Sequence, residues 1–275
     1  MFPLILILII SHVIIKAIFF FLFHSYCLDV FPLFHEKHKT ENEIKSADGY
    51  GQLQYMNRDK YDGEWKDGMR SGKGIHFYAN GDKYDGEWTL NVFHGEGNYT
   101  TTAGHSYVGG WKMGKLNGYG QLTTPNGRRY EGEFRDGQKS GEGKLDYING
   151  DFYIGQWLAD KKHGYGIYHS STEGVYEGNF ICDQKEGGGT MHYTNGDIYE
   201  GQWKKDVFNG QGILYCNSGG LEKYDGLWEN GQLMGKGVLH FRQGGRYEGH
   251  FKEDIVFFEP ILFLLFSSNF FCSNY

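Results

Sequence analysis

A tyrosine, a glycine two residues later and an aromatic two residues beyond that recur along this chain every 23 residues. The starts are Tyr61, Tyr84, Tyr107, Tyr130, Tyr153, Tyr176, Tyr199, Tyr224 and Tyr247, and only the step from Tyr199 to Tyr224 is longer, by two residues. So short a unit cannot bury a core alone, so a chain of such units must fold as a linear array in which each copy packs on its neighbours. Numbering each unit from its tyrosine, position 3 is always glycine, as at Gly63. Position 5 is Trp65, Trp88, Trp111, Phe134, Trp157, Phe180, Trp203, Trp228 and Phe251, which takes in all 6 tryptophans of the chain. Positions 12 and 14 are glycine in every complete unit, from Gly72 and Gly74 to Gly235 and Gly237.

Positions 1, 3 and 5 alternate with mostly polar residues, the period of a strand. Positions 12, 14, 16 and 18 alternate likewise, ending in apolar pairs such as Leu239 with Phe241. Each interior glycine would cost a helix about 1 kcal/mol, so propensity and period agree on two strands per unit. Position 8 is always Gly, Asn or Asp, the residues that best tolerate a left-handed backbone, and marks a turn. Asn-Gly at Asn80-Gly81, Asn126-Gly127, Asn149-Gly150 and Asn195-Gly196 marks a second turn between units. A three-residue loop at positions 19 to 21, with left-handed glycine at 21, keeps one face in register. Pairing position 5 with 12, 3 with 14 and 1 with 16 inside each hairpin places all six on that face, with each indole over a glycine. The fold class is therefore all-β: an elongated single-layer antiparallel sheet of tandem β-hairpins, on the order of 85 Å long at about 4.8 Å per strand.

The pattern Y-x-G-x-W-x-x-G-x-x-x-G-x-G at this period resembles the MORN repeat (membrane occupation and recognition nexus), over residues 49–254. The resemblance implies a row of β-hairpins and a role in protein assembly at membranes or cytoskeletal structures. Some members of the family carry a kinase or methyltransferase domain beside the array.

Outside the array the composition changes. Within residues 1–34, the run Pro3 to Phe23 holds sixteen Leu, Ile, Val or Phe in twenty-one, enough to favour membrane insertion despite Lys16. Lys37 and Lys39 follow it and no Lys or Arg precedes it, which predicts an N-terminal transmembrane helix with the repeats cytoplasmic. Residues 35–48 form a polar linker. The tail, 255–275, is apolar but interrupted at Glu259-Pro260 and short for a span. Translated non-coding sequence at either edge is the alternative for both ends.

Chemistry is hard to find in the array. No GxG is followed by a helix or by a G-K-[ST], so the glycine pairs are packing features and not phosphate loops. His169, His192 and His240 share position 17 on separate hairpins, which is no tight metal ligand set, and the 4 cysteines show no metal spacing. No catalytic, metal or cofactor residue is assigned. With 23 Lys and Arg against 28 Asp and Glu, the array lacks the basic surface that nucleic acid or anionic lipid requires. Position 2 is acidic in seven of nine units and position 6 basic in five, which reads as a solvated, charge-paired face.

The reading is a non-enzymatic scaffold for a protein partner, tethered to a membrane through residues 1–23. The expected docking residues are exposed rings of the aromatic stripe, represented by Tyr107, Tyr130 and Tyr153, because one layer of sheet should not cover every ring. A phospholipid-associated targeting module, or a regulatory fragment of a larger enzyme such as a phosphoinositide kinase, stays open as an alternative. So does dimerisation through the sheet edges or the aromatic face.

Overall fold

The computed structural model describes residues 48–257 and 262–263. The segment 1–34, nearly all of the linker and most of the tail lie outside the described residues, and with them the expected N-terminal anchor. Among the described residues no helix is long and apolar enough to cross a membrane.

Among the described residues, twenty strands form one sheet. They are β1 (Gly49–Gln54), β2 (Lys60–Lys66), β3 (Met69–Phe77), β4 (Lys83–Thr89), β5 (Val92–Thr100), β6 (Ser106–Lys112), β7 (Lys115–Thr123), β8 (Arg129–Arg135), β9 (Gln138–Asp146) and β10 (Phe152–Leu158). They continue as β11 (Lys161–Ser170), β12 (Gly174–Ile181), β13 (Gln184–Tyr193), β14 (Ile198–Lys204), β15 (Val207–Tyr215), β16 (Leu221–Glu229), β17 (Gln232–Phe241), β18 (Arg246–Lys252), β19 (Ile255–Phe257) and β20 (Leu262–Phe263). Every pairing joins sequence neighbours and every one is antiparallel. The all-β array of tandem hairpins read from the sequence is thus what the chain forms.

Both turns sit where the sequence places them. Positions 7 and 8 are both left-handed, as at Asp67 (φ 51°) and Gly68 (φ 72°), the geometry of a two-residue hairpin turn. Position 7 does this even where it is Leu90, Met113, Ala159, Cys182 or Lys205, residues that gave no hint of it. Between units, Gly81 is left-handed at φ 90° and donates to the Tyr78 carbonyl at 2.9 Å, while Tyr78 donates to Asp82 at 2.9 Å, closing a loop over positions 19 to 21. The Asp that follows Asn-Gly then ties the loop to the next unit: Asp82, Asp151 and Asp197 accept backbone N–H bonds from Thr102, Ser171 and Asn217 at 2.7 to 2.8 Å.

The register differs from the expected one in one respect. Position 3 does face 14, as Gly63 faces Gly74, and position 1 faces 16, as Tyr61 faces His76. However, Trp65 faces Arg70 at position 10, not Gly72, because Arg70 and Gly74 are separated by three residues that oppose Glu64 alone. The expected pairing of 5 with 12 occurs between units, as Gly72 with Trp88 and Gly95 with Trp111. Two extra residues leave the side-chain alternation unchanged, so the aromatics of all units still share a face.

The two glycines therefore serve different ends. At position 14 a methyl on Gly120 would overlap the hydroxyl and ring of Tyr107, so the residue is glycine for space. At position 12 Gly118 has φ 82° and nothing within 4 Å of where a methyl would point, so it is glycine for backbone conformation at the bulge. In the other units that missing methyl points mostly toward the position-4 side chain, such as Glu64 beside Gly72, and not beneath an indole. We expect Gly120→Ala to destabilise by about 3 kcal/mol and Gly118→Ala by only about 1 kcal/mol, read from urea unfolding midpoints of the two variants.

The aromatic stripe as candidate interaction site

Each position-1 ring is pinned at both ends. Its face covers the glycines at positions 3 and 14, and its hydroxyl donates to the position-4 carbonyl, the residue opposite the bulge. The distances are 3.0 Å for Tyr61 to Glu64, 3.0 Å for Tyr107 to Gly110 and 2.9 Å for Tyr199 to Gln202, and the bond is present in all eight complete units. This is why the residue is tyrosine rather than phenylalanine. A strand carbonyl displaced from the ladder beneath a hydrophobic ring would otherwise stay unpaired, at a penalty of about 1 to 3 kcal/mol. Burial pushes the phenol of Tyr107 well above the ordinary tyrosine range, and the same holds for the other tyrosines of complete units.

Position 5 joins one unit to the one before it. All 6 indoles donate Nε1–H to the position-14 carbonyl of the preceding unit, from 3.0 Å for Trp88 to Gly74 up to 3.3 Å for Trp111 to Gly97. The rings at positions 1 and 5 then alternate without a break from Trp65 to Tyr247. Successive centroids are 5.0 to 5.9 Å apart and every pair stands edge to face, at 81° to 88°. Such pairs contribute about 0.5 to 1.5 kcal/mol each beyond area burial.

The ladder changes the reading of the docking residues. Tyr107, Tyr130 and Tyr153 are 0%, 1% and 0% exposed, and no position-1 or position-5 aromatic from Tyr61 to Trp228 exceeds 8%. They are core, not contact surface. The expectation that a single layer must leave rings bare fails because rings set edge to face cover one another, and because position 10 lies over them.

Position 10 escaped the sequence reading, yet its chemistry is coupled to position 8 of the next unit. Where position 10 is basic, the following position 8 is Asn or Asp: Arg70 with Asn91, Lys139 with Asp160, Lys162 with Asp183 and Lys185 with Asp206. Where position 10 is Phe93, Leu116 or Phe208, the following position 8 is Gly114, Gly137 or Gly231. Leu233 with Asp254 is the exception. The acid or amide accepts the backbone N–H of position 10 at 2.8 to 2.9 Å in those four pairs, and the backbone of position 8 donates back to the position-10 carbonyl in both classes. The cations sit over rings: the Arg70 guanidinium lies 4.3 Å from the Trp88 centroid, and Lys139 Nζ lies 4.8 Å from that of Trp157. Phe93 and Phe208 stack on Tyr84 and Tyr199 at 3.7 Å instead. Burial lowers the Lys162 and Lys185 ammonium pKa values, opposed by Asp183 and Asp206 among others. Either an apolar side chain or a cation can therefore lid the stripe.

The MORN repeat family profile matches residues 61–83, 84–106, 107–128, 130–152, 153–175, 176–198, 199–221 and 224–246, more than half of the chain. With the hairpin array and ring ladder in place, the chain belongs to the MORN repeat family. No curated protein matches it. Among solved structures it is similar to the TCP domain of SAS-4 (dCPAP) of Drosophila melanogaster, solved with a proline-rich motif of Ana2, at 16% identity and a TM-score of 0.29, covering 82% of this chain and 100% of that one. The G-box domain of the microcephaly protein CPAP matches at 11% identity and a TM-score of 0.36, covering 74% and 100%. The TCP10 domain of Danio rerio CPAP, solved with a peptide of Danio rerio STIL, matches at 14% and 0.23, covering 74% and 96%. Identities and TM-scores this low carry no argument about the present chain.

Two outcomes follow for the stripe. Asp183→Gly alone should destabilise by about 1 to 3 kcal/mol, while Asp183→Gly with Lys162→Phe, which reproduces the Phe93 and Gly114 arrangement, should recover most of that loss in a double-mutant cycle. The second concerns His76, 4% exposed at position 16, with its Nδ1 3.0 Å from Arg70 Nη1 and its Nε2 3.5 Å from Asp59. Burial and then the Arg70 charge lower its pKa from 6.5 to about 4. The unfolded chain binds this proton more tightly, so the stability associated with neutral His76 is full above pH 6.5 and is lost as pH falls toward 4. Equilibrium unfolding between those limits should show a loss of up to about 3 kcal/mol that His76→Leu, the residue type at Leu145 and Leu214, abolishes.

Proposed function

We propose that this protein is a non-enzymatic scaffold whose repeat array engages a protein partner, held at a membrane by residues 1–23 with the array on the cytoplasmic side. The observation that carries the reading is the use made of the aromatics. The ring ladder spends the position-1 tyrosines and the tryptophans on its own coherence, leaving two broad sheet faces over which, among the described residues, no second layer packs. Extended surfaces of this kind suit another macromolecule better than a small substrate. Membership of a repeat family is consistent with that.

The contacts belong to side chains other than Tyr107, Tyr130 and Tyr153, since these have almost no surface to offer. The acidic balance of the array weighs against anionic lipid as its direct ligand. Flotation of residues 48–254 with phosphatidylserine-containing vesicles tests the choice. The scaffold reading expects the array to remain in the dense fraction at physiological salt. Recovery of the array with the vesicles would replace the reading with that of a phospholipid-targeting module.

A further inference from the structure

The face opposite the rings, which carries positions 2, 4 and 6, changes character along the array. In most of the charged units the residue before the tyrosine and the one after it are oppositely charged and pair along the strand: Lys83 with Asp85 at 2.9 Å and Arg129 with Glu131 at 2.6 Å, with Lys144 and Asp146 on the neighbouring strand at 2.8 Å. In the middle of the chain the first member of the pair becomes Phe152, Val175 and Ile198. Across the sheet these residues alternate with His169, His192 and Tyr215, so the row from β10 to β15 contains no Lys, Arg, Asp or Glu between Asp146 on β9 and Lys223 on β16. On the same face stand Ile154 and Tyr165, 44% and 51% exposed, while in the row nearest the hairpin turns Leu158, Ile181 and Val207, 41% to 53% exposed, alternate with Lys161, Gln184 and Lys204. Isolated apolar residues on a surface are ordinary, but a window six strands wide is not.

We propose that this window is a self-association surface, occupied by the same six strands of a second copy packed face to face. Three features favour a copy over another partner. First, the window is symmetric about the β12–β13 ladder. A two-fold axis along the strands there sets β10 over the partner's β15, which brings Phe152 to Tyr215 and Ile154 to Ile213 at equal heights, and Asn179 over the bare backbone of Gly188. Second, the carboxylates do not collide under that operation, since Glu177 meets Thr190 and Glu200 meets Ile167, and the contact stops short of the row nearest the hairpin turns, where Lys161 would otherwise meet Lys204. Third, six strands about 4.8 Å apart and about 16 Å long offer roughly 450 Å² per copy, about 900 Å² for the pair, the size of a weak interface. Sheets stacked this way pack about 10 Å apart. The surface is independent of the ring stripe, so the inference stands or falls apart from the scaffold reading.

The test uses the full chain in mild detergent and multi-angle light scattering across roughly 1 to 100 µM. The wild type should reach twice the monomer mass. The variant Phe152→Arg with Ile154→Glu restores the Arg129 and Glu131 arrangement of a neighbouring unit, so it keeps the fold, checked by circular dichroism, and should shift the dimer midpoint upward at least tenfold. Val108→Glu, at the equivalent position 2 of the third unit and 53% exposed, should leave the midpoint where it was. A wild type that is monomeric throughout, or a dimer equally stable in the Phe152→Arg, Ile154→Glu variant, overturns the proposal.

Discussion

Everything in this sheet depends on a tyrosine ring lying on two glycines with its hydroxyl bonded to a neighbouring carbonyl. A single sheet has no opposite layer to press its side chains into place, so apolar area has to be buried within the layer. The repeat does this by removing two side chains and laying one large ring in the space. The hydroxyl then satisfies the backbone where the strand widens, so the ring cannot be slid out without exposing an unpaired carbonyl. Glycines at positions 3 and 14, tyrosine at 1 and the wide bulge are one device, and none of its parts works alone.

The second device couples the units. An indole reaches back to a carbonyl of the preceding unit, and position 8 reaches back to the backbone of position 10. Both contacts run between sequence neighbours, so each interface is local and the array is held by nearest-neighbour terms. Variation in the position-10 lid, between Phe or Leu and Lys or Arg, shows how such an interface tolerates change. The two positions vary together, Leu233 with Asp254 excepted, because a nearby acid offsets the burial of an ammonium such as Lys162 or Lys185 and an apolar lid needs no such charge.

Much of this was legible in the residues. The 23-residue period, the strand alternation, the turn at position 8, the loop at 19 to 21 and the shared aromatic face all follow from the placement of Tyr, Trp, Gly and Asn-Gly. The bulge was not, because the spacing of Gly118 and Gly120 satisfies plain alternation equally well, and only the backbone reveals that one glycine is there for φ and the other for space. The left-handed turn at Leu90, Met113 and Cys182 was hidden for the opposite reason, since those residues disfavour the conformation the hairpin imposes on them. Burial of Tyr107, Tyr130 and Tyr153 was missed by treating rings as side chains that stand up from a sheet and need a lid from elsewhere. Laid edge to face, they cover each other. The loss of charge at Phe152, Val175 and Ile198 was in plain view, but it acquires meaning only once the ladder aligns them in one row.

The central claim, that these phenols are seated on glycine and withheld from water, is tested most directly by spectrophotometric titration of the tyrosines with circular dichroism recorded on the same samples. A phenol disfavoured as an anion in the fold ionises readily once unfolded, so its contribution to stability is full below about pH 10 and declines above it. The account requires that ring-ladder tyrosines such as Tyr107 and Tyr199 stay protonated through pH 11 and ionise only together with loss of the sheet signal. Their titration near pH 10 with the sheet signal intact would contradict it.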